Sequence, residues 1–234
     1  IRPLPEKYHG LKDKEIRFRK RHLDLIMNQE VKDLFKKRSL MVKGIRDYLD
    51  EKGFMEVETP LLQTQYGGAN ARPFTTHINA WDMNLYLSIS PELYLKRLII
   101  GGYEKVFTIC KNFRNEGVDH SHNPEFTMLE LYEAYSDYND MMKLTDEMYE
   151  KACIAMHGTT KVTHVINGEE VVVDFKAPWK KLTCREAIRE YLDIDIEDMS
   201  RDELFSFCKE KRIEVGENFS WGDLVIEIFD ELIE

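Results

Sequence analysis

The chain has 234 residues, of which 43% are hydrophobic, and its formal net charge at pH 7 is −10. A chain of this length can bury a core and form one domain with an appendage. No apolar run approaches the roughly 20 residues that a membrane-spanning helix needs, and no signal-peptide pattern is present. The acidic balance argues against a general nucleic-acid binder, although charge can be concentrated on one surface that meets RNA.

Cysteine usage indicates a reducing compartment. The 4 cysteines are scattered and include no C-x-x-C pair, which favours reduced thiols in the cytoplasm and argues against a zinc site. They are Cys110, Cys153, Cys184 and Cys208.

The N-terminal segment opens with an extended Ile-Arg-Pro-Leu-Pro stretch and carries the most basic run of the chain, at 12–22. Such a run is typical of a solvated helix face, and a contact to the RNA backbone is the alternative. The chain begins at Ile1 and ends in an acidic, uncapped helical pattern at 223–234. We therefore expect it to be part of a longer protein.

The next elements alternate between helix, strand and loop. Apolar residues recur three and four apart over 31–52, with Gly53 as the residue after the helix end, which predicts a helix. Alternation predicts short strands at 54–59 and 85–89. The glycines of 66–74 predict a loop between these strands.

Ser90, Pro91 and Glu92 predict a helix start. Serine is favoured as the N-cap, proline at the first helical position and an acid in the first turn. The helix is expected to run to Ile100, before the Gly-Gly pair that follows. The helix dipole alone would explain an acid at position 92.

The stretch 106–135 is predicted to be an antiparallel hairpin with a polar loop. With a period of two, alternate residues of both strands share one face. These are Val106, Thr108, Cys110, Asn112, Arg114 and Glu116 on the first strand, and Phe126, Met128, Glu130 and Tyr132 on the second. The hairpin can thus direct Arg114, Glu116, Phe126, Glu130 and Tyr132 into one cavity. The alternative is a solvated face whose charges pair with one another.

That set of side chains suggests a nucleotide and a small cationic molecule as ligands. Arg114 offers a planar donor fork for phosphate or carboxylate. Phe126 is a stacking surface for a base, and Glu130 and Tyr132 are acceptors that suit an ammonium group.

The remaining third of the chain carries packing signals. An amphipathic helix is predicted over 139–157, and a second hairpin over 161–175 with Asn167-Gly168 at its turn. Thr183 with Glu186, and Ser200 with Glu203, form capping boxes that open two short helices.

Two runs of this hairpin carry a family resemblance. FRNEG at 113–117 and HNPEFTMLELY at 122–132 resemble motif 2 of the class II lysyl-tRNA synthetases. The resemblance implies an α+β fold, the class II aminoacyl-tRNA synthetase catalytic core, in which an antiparallel sheet is flanked by helices and is incomplete here. By this resemblance, residues from about 31 to 60 correspond to motif 1, and residues from about 106 to 135 correspond to motif 2.

The resemblance also implies a domain organisation. Residues 1–30 would be a linker that follows an absent anticodon-binding domain, and 31–234 the N-terminal part of the catalytic domain, with an insertion of hairpin and helices at 159–234. Motif 3, which supplies an arginine for ATP and neighbouring acids for metal and lysine, has no match after Gly158. We therefore expect an inactive fragment with no metal ligands of its own.

The implied reaction activates L-lysine with ATP to lysyl-adenylate and transfers the lysyl group to the 3′ end of tRNA(Lys). Mg²⁺ would accompany ATP, and the protein would be a cytoplasmic homodimer formed through motif 1, with no membrane association. An ordinary core helix is the alternative for 31–52.

By the same resemblance, ATP is held by five residues of motif 2. Arg114 bridges the lysine carboxylate and the α-phosphate, and is the catalytic residue. Glu116, His122 and Asn123 hold ATP, and Phe126 stacks on adenine. By itself, a histidine such as His122 is more often a surface loop residue than a ligand-binding one.

The lysine site implied by the resemblance spans three segments. Glu130 and Tyr132 meet the lysine side chain, while Gly68 and Glu92 meet its α-amino end, and Arg114 meets its carboxylate.

Three other functions fit parts of this sequence. One is a lysyl-synthetase-like ligase that modifies a translation factor, although such paralogues lack the Gly67-Gly68-Ala69 segment that is present here. Another is an aspartyl- or asparaginyl-tRNA synthetase, which would need a cation near Glu130 and Tyr132. The third is a non-catalytic dimerising module.

Overall fold

The computed structural model describes residues 11–166 and 168–233. The opening Ile-Arg-Pro-Leu-Pro stretch, Asn167 and Glu234 lie outside the described residues. The described residues up to Pro178 form one compact unit, and those from Trp179 onward form a second.

Two short helices contain the basic segment: α1 (Lys14–Arg19) and α2 (Arg21–Met27). Asp24, fully buried, accepts hydrogen bonds from Arg17 Nε at 2.7 Å, from Asn28 at 2.6 Å and from Arg21. Burial would raise the pKa of the Asp24 carboxyl, but these hydrogen bonds and the positive charge of Arg17 outweigh it and lower the pKa. Arg17 and Arg21 are thus partly buried, and the ion pair of Arg17 with Asp24 joins α1 to α2. The other basic residues of this segment are exposed, as expected of a solvated helix face.

The predicted long helix is confirmed as α3 (Gln29–Glu51), and Gly53 follows it with φ of 81°. Its C-terminal half packs into the core through Tyr48 and Leu49, whereas Leu34 near its start is exposed. The apolar stripe therefore does not face the core along its whole length.

Two small sheets follow α3. Strand β1 (Met55–Glu56) is shorter than the predicted 54–59. A separate antiparallel sheet has the order β2 (Leu62–Gln63), β4 (Met83–Leu87), β3 (Thr75–Ile78). Strand β4 begins and ends two residues before the predicted 85–89, and the sequence pattern gave no sign of β3.

Helix α4 (Glu92–Ile100) begins one residue later than predicted, with Pro91 rather than Ser90 as the residue before it. The Ser90 hydroxyl nevertheless accepts a hydrogen bond from the Glu92 amide at 3.1 Å, as a capping serine does. The chemistry expected of Ser90 is thus present, although the boundary is shifted.

The central hairpin is confirmed as β5 (Lys105–Phe113) and β6 (Glu125–Glu133), paired antiparallel over nine residues from Lys105 opposite Glu133 to Phe113 opposite Glu125. The predicted antiparallel pairing is therefore present in β5 and β6, and β1 extends this sheet in the parallel direction.

Helix α5 (Tyr138–His157) packs against α3. The two helices approach closely at Gly44, where a methyl group would come within 2.7 Å of the Ala155 Cβ. A core between the helices and the sheet joins Leu49, Phe107 and Leu144. The second predicted hairpin is confirmed as β7 (Lys161–Ile166) and β8 (Glu169–Asp174).

The second unit contains α6 (Cys184–Leu192), α7 (Arg201–Lys211) and α8 (Trp221–Leu232). Both predicted capping boxes are present, and a third, formed by Ser220 and Asp223, opens α8. Because of that third cap, α8 begins two residues before the predicted position 223. The apolar faces of the three helices meet in a core built around Ile188, Leu204, Leu224 and Ile228.

Across the described ranges, every helix falls short of the length or the apolar character that crossing a bilayer requires.

The capping box of α7 gives a stability test. Ser200→Ala removes the hydroxyl that accepts from the Glu203 amide, and we expect a loss of about 1 kcal/mol in the free energy of unfolding of the second unit. Ser206→Ala is the matched control, because that hydroxyl bonds only the Asp202 carbonyl of its own helix. Urea denaturation followed by circular dichroism measures both. Equal losses in the two variants would contradict the assigned cap.

Candidate active site

The register of the central hairpin places the predicted residues on one face. Asn112 lies opposite Phe126, and Thr108 opposite Glu130. Residues of equal parity on paired strands share a face. The face therefore runs from Tyr132 and Glu130, at the end where β6 finishes, to Phe126 and Arg114 at the loop end.

At the loop end, Arg114 is fixed by its backbone and its aromatic neighbour. Its amide donates to the Pro124 carbonyl at 2.9 Å, which closes the hairpin one step past the strand ladder. Its guanidinium carbon lies 5.2 Å from the centre of the Phe126 ring. The Arg114 Nε atom is buried and has no hydrogen-bond partner among the described residues. A buried donor without a partner is costly, so this atom is suited to an anionic ligand.

An open cavity of about 580 Å³ lies at this loop end. All five residues predicted to hold ATP are among its lining. The lining is Arg114, Glu116, Gly117, Val118, Asp119, Ser121, His122, Asn123 and Phe126. Its size is within the range of small-ligand sites.

The loop that forms the cavity rim is organised by Asp119. Its carboxylate accepts from the amides of Ser121 and His122 and from His122 Nδ1, at 2.7 to 2.9 Å. The hydrogen bond from the His122 ring, followed by the two amides, lowers the pKa of the Asp119 carboxyl. His122 is thus held at the cavity by a partner that the sequence reading had not identified.

Glu116 connects this loop to the glycine-rich loop. Its carboxylate accepts from the Arg72 amide at 3.2 Å, and the Asn115 amide donates to the Arg72 carbonyl at 2.8 Å. The two loops on this side of the hairpin are therefore joined by one side-chain and one backbone hydrogen bond, both at Arg72.

At the other end of the face, Glu130 is held by two hydroxyl groups. The phenol of Tyr132 donates to one carboxylate oxygen at 2.9 Å, and Ser90 donates to the other at 3.1 Å. Ser90 is almost fully buried. Burial, followed by the hydrogen bond and the negative charges of Glu130 and Glu92, raises the pKa of the Tyr132 phenol far above its ordinary value.

Glu92 completes this cluster from the first turn of α4. Its carboxylate accepts from Lys96 Nζ at 2.6 Å, and the same ammonium lies 5.7 Å from the centre of the Tyr132 ring. Two carboxylates, a phenol and one ammonium thus lie together, and the carboxylates outnumber the cation.

Gly68 brings the glycine-rich loop onto this cluster. Its φ is +88°, and a Cβ there would lie 2.8 Å from the Glu92 Cβ and 3.0 Å from the Ser90 hydroxyl. Only glycine fits both the backbone conformation and the close approach.

The sequence predicts one cavity for these residues, whereas the structure places them in two separate clusters on one strand face. Phe126 and Glu130 are four residues apart on β6, which corresponds to about 13 Å at the usual rise of a strand. Arg114, Glu116 and Phe126 belong to the cavity at the loop end, while Glu130 and Tyr132 belong to the acidic cluster. The sequence reading missed Ser90 and Lys96 as members of that cluster. The available signal was their spacing from Glu92. Ser90 lies two residues before it, ahead of the helix start, and Lys96 lies four residues after it, on the same helix face.

A family profile described as tRNA synthetases class II (D, K and N) matches residues 13–214. The chain belongs to the class II tRNA synthetases of this D, K and N group. It is similar to proteins named lysine–tRNA ligase from Clostridium botulinum (strain Hall), with 52% identity, and Clostridium novyi (strain NT), with 50%, over 100% of this chain and 46% of each protein. Clostridium acetobutylicum has a protein of the same name that is 48% identical over 99% of this chain and 45% of its own length.

The α+β fold predicted from the resemblance agrees with this membership. The chain spans about half the length of the curated relatives that it matches. Within 11–166 and 168–233, no three His, Cys, Asp or Glu side chains come close enough to hold a metal ion.

The raised pKa of the Tyr132 phenol can be measured directly. We expect the ¹³Cζ resonance of labelled Tyr132, assigned by its loss in Tyr132→Phe, to remain that of the protonated phenol through pH 10. Glu130→Gln removes one hydrogen-bond acceptor and one negative charge, so it should move the pKa down toward the ordinary value of 10.0. Titration of Tyr132 at its ordinary pKa in the unsubstituted protein would contradict the geometry of the cluster.

Proposed function

We propose that the protein to which this chain belongs activates L-lysine with ATP to lysyl-adenylate and transfers the lysyl group to the 3′ end of tRNA(Lys) in the cytoplasm. The observation that carries the proposal is the placement of an acidic cluster and an unpartnered arginine donor on one strand face. A cationic amino acid and a polyphosphate require that combination.

The acidic cluster selects among the three amino acids of the family. Glu92 and Glu130 provide two carboxylates, and Tyr132 provides a phenol between them. These groups attract an ammonium and repel the side-chain carboxylate of aspartate. Asparagine would leave the charges uncompensated. Lysine is therefore the substrate that the cluster favours.

Arg114 lies between the two proposed substrates. With its guanidinium over Phe126 and its Nε buried, it is placed to bind the lysine carboxylate and the α-phosphate together. Such a clamp would bring the attacking oxygen to the phosphorus and neutralise charge as the new bond forms and pyrophosphate leaves. Bidentate geometry makes arginine better suited than lysine to this role.

The nucleotide is assigned to the cavity of about 580 Å³. Phe126 provides the stacking surface for adenine, while Glu116, His122 and Asn123 provide hydrogen-bonding groups around it. The hydrogen bond from the Arg72 amide to Glu116 connects the loop that lines this cavity to the loop that carries Gly68.

Lysine is assigned to the acidic cluster. Its side-chain ammonium would meet Glu130 and Tyr132, and its α-amino group would meet Glu92 and the backbone at Gly68. The close packing of Gly68 on Glu92 supports the second assignment, because it leaves the backbone of the loop within reach of the carboxylate.

Mg²⁺ is proposed as the companion of ATP. The described residues offer no cluster of three acidic, histidine or cysteine side chains for it, so this part of the fold provides no metal cage. We therefore assign to these residues only the binding and orientation of the two substrates.

The proposed homodimer would form through motif 1, that is, through α3 and β1. Support comes from apolar side chains that remain exposed on α3. They are Leu34 at 63%, Phe35 at 43% and Leu40 at 44% exposure. Exposed apolar groups of this density on one helix are typical of an interaction surface.

The translation-factor ligase and the non-catalytic module remain the alternatives to this proposal. The tight fit of Gly68 against Ser90 and Glu92 disfavours the first, because the glycine-rich segment is an integral part of the cluster here. The complete acidic cluster and the unpartnered Arg114 donor disfavour the second.

Amino-acid-dependent exchange of labelled pyrophosphate into ATP tests the proposal, with the protein at its natural full length. We expect exchange with lysine only, followed by charging of tRNA(Lys). Exchange with aspartate or asparagine would overturn the lysine assignment, and no exchange with any amino acid would favour the non-catalytic module.

Arg114→Ala should lower lysine-dependent exchange by about a hundredfold to a thousandfold, since it removes the donors aimed at the developing charge. Arg114→Lys should recover only part of the rate, because a point charge cannot clamp two anions bidentately. Circular dichroism would verify that both variants are folded. Exchange retained by folded Arg114→Ala would remove this residue from its proposed role.

Gly68→Ala should raise the KM for lysine by at least about tenfold, because the added methyl group displaces the loop from Glu92 and Ser90 and strains a left-handed backbone. Gly102→Ala is the matched control. Its φ is +100°, but no described atom lies within 4 Å of the added Cβ. Gly102→Ala should therefore affect stability but not KM, and an equal effect on KM in both variants would contradict the assignment of Gly68.

A further inference from the structure

The acidic cluster already contains a cation from this chain. Lys96 Nζ lies 2.6 Å from Glu92 Oε1 and 5.7 Å from the centre of the Tyr132 ring. Carboxylate oxygens and an aromatic face are the two kinds of group that bind alkylammonium ions. The side chain that fills this position has the same terminal group as the proposed substrate.

The position of Lys96 follows from helix geometry. Glu92 and Lys96 are four residues apart on α4, which places them on one face of the helix. Helix α4 contacts β6, and the ring of Tyr132 on that strand lies 5.7 Å from the Lys96 ammonium. The Lys96 ammonium therefore extends back over Glu92 and toward the ring.

The pair can separate at low cost. The side chains of Lys96 and Glu92 are 52% and 28% exposed, so water can solvate the ammonium when it leaves. The other carboxylate of the cluster is fixed more firmly, because Tyr132 and Ser90 both donate to Glu130. Lys96 is thus the most solvent-exposed of the three charged groups in the cluster.

We propose that the Lys96 ammonium occupies the subsite of the substrate α-ammonium at Glu92, and that the amino acid must displace it in order to bind. This inference rests on the proposed function. In the free protein Lys96 is the counter-ion of Glu92, and in the complex the substrate takes over that contact. Lys96 is therefore a specificity-determining residue that competes with the substrate and sets the KM for lysine.

The size of the effect follows from the contacts that are exchanged. An exposed helical ion pair and an exposed cation–π contact are each weak. Their loss corresponds to a competition of about threefold to tenfold in binding. A residue that instead held Glu92 in place for the substrate would change binding in the opposite direction.

The test uses Lys96→Met, which keeps the length of the side chain and removes its charge, in the full-length protein. We expect the KM for lysine in pyrophosphate exchange, and the Kd for L-lysine by calorimetry without ATP, to fall by about threefold to tenfold. Lys96→Arg keeps a cation at the same place and should leave both values near those of the unsubstituted protein.

Two controls separate the subsite from a general charge effect. Lys180→Met breaks the exposed ion pair with Glu190 in the second unit, to which no substrate contact is assigned, and should leave the KM for lysine unchanged. 6-Aminohexanoate lacks the α-amino group, so its inhibition constant against lysine should be the same in Lys96→Met and the unsubstituted protein.

Each outcome decides the matter. A higher KM in Lys96→Met would show that Lys96 positions Glu92 for the substrate. An unchanged KM would show that Lys96 and Glu92 form only a surface ion pair. Either result overturns the inference. Equal tightening of 6-aminohexanoate would overturn the assignment to the α-ammonium subsite. Absence of lysine-dependent exchange in the unsubstituted protein would instead refute the proposed function, and the inference with it.

Discussion

The antiparallel pairing of β5 and β6 is the constraint on which the rest of the site depends. Nine residue pairs fix the register, and because side chains alternate between faces, a slip by one residue would turn every functional group away from the site. The opposite face of the same strands is apolar and packs on the helices through Phe107 and Leu131. Burial of that face therefore secures the orientation of Arg114, Glu130 and Tyr132 on the other.

A buried polar contact joins the segment between β4 and α4 to this hairpin. Ser88 donates to the Asn112 side chain at 2.9 Å, and the Phe113 amide donates to the Ser88 carbonyl at 2.8 Å. Ser88 and Asn112 are both fully buried, so breaking the contact would leave unsatisfied polar groups. Two residues further on, Ser90 holds Glu130 and accepts from the Glu92 amide. The acidic cluster is thus assembled from α4 and the hairpin through contacts of two serines, Ser88 and Ser90, rather than by one element alone.

The two clusters differ in the sign of their unpaired charge. At the loop end, Arg114 presents a donor without a partner among the described residues, whereas at the other end the excess charge is negative. In the proposed complex, a zwitterionic amino acid with a cationic side chain would lie between them, with its carboxylate toward the arginine and its ammonium groups toward the acids. By our proposal, Lys96 would weaken that attraction, because its ammonium pairs with Glu92.

The sequence by itself determined the elements with strong local signals: the hairpin and the residues that share its face, the long helix that ends before Gly53, and the capping boxes of α6 and α7. Alternation, helical periodicity and capping chemistry are local, so they can be read without the fold. Only the tertiary structure decided that the site is two clusters, that Asp24 engages two of the basic residues, and that Ser90 and Lys96 belong with Glu130 and Tyr132. Those contacts join residues up to about forty positions apart, and their formation depends on how α4 packs against β6, which no local pattern encodes.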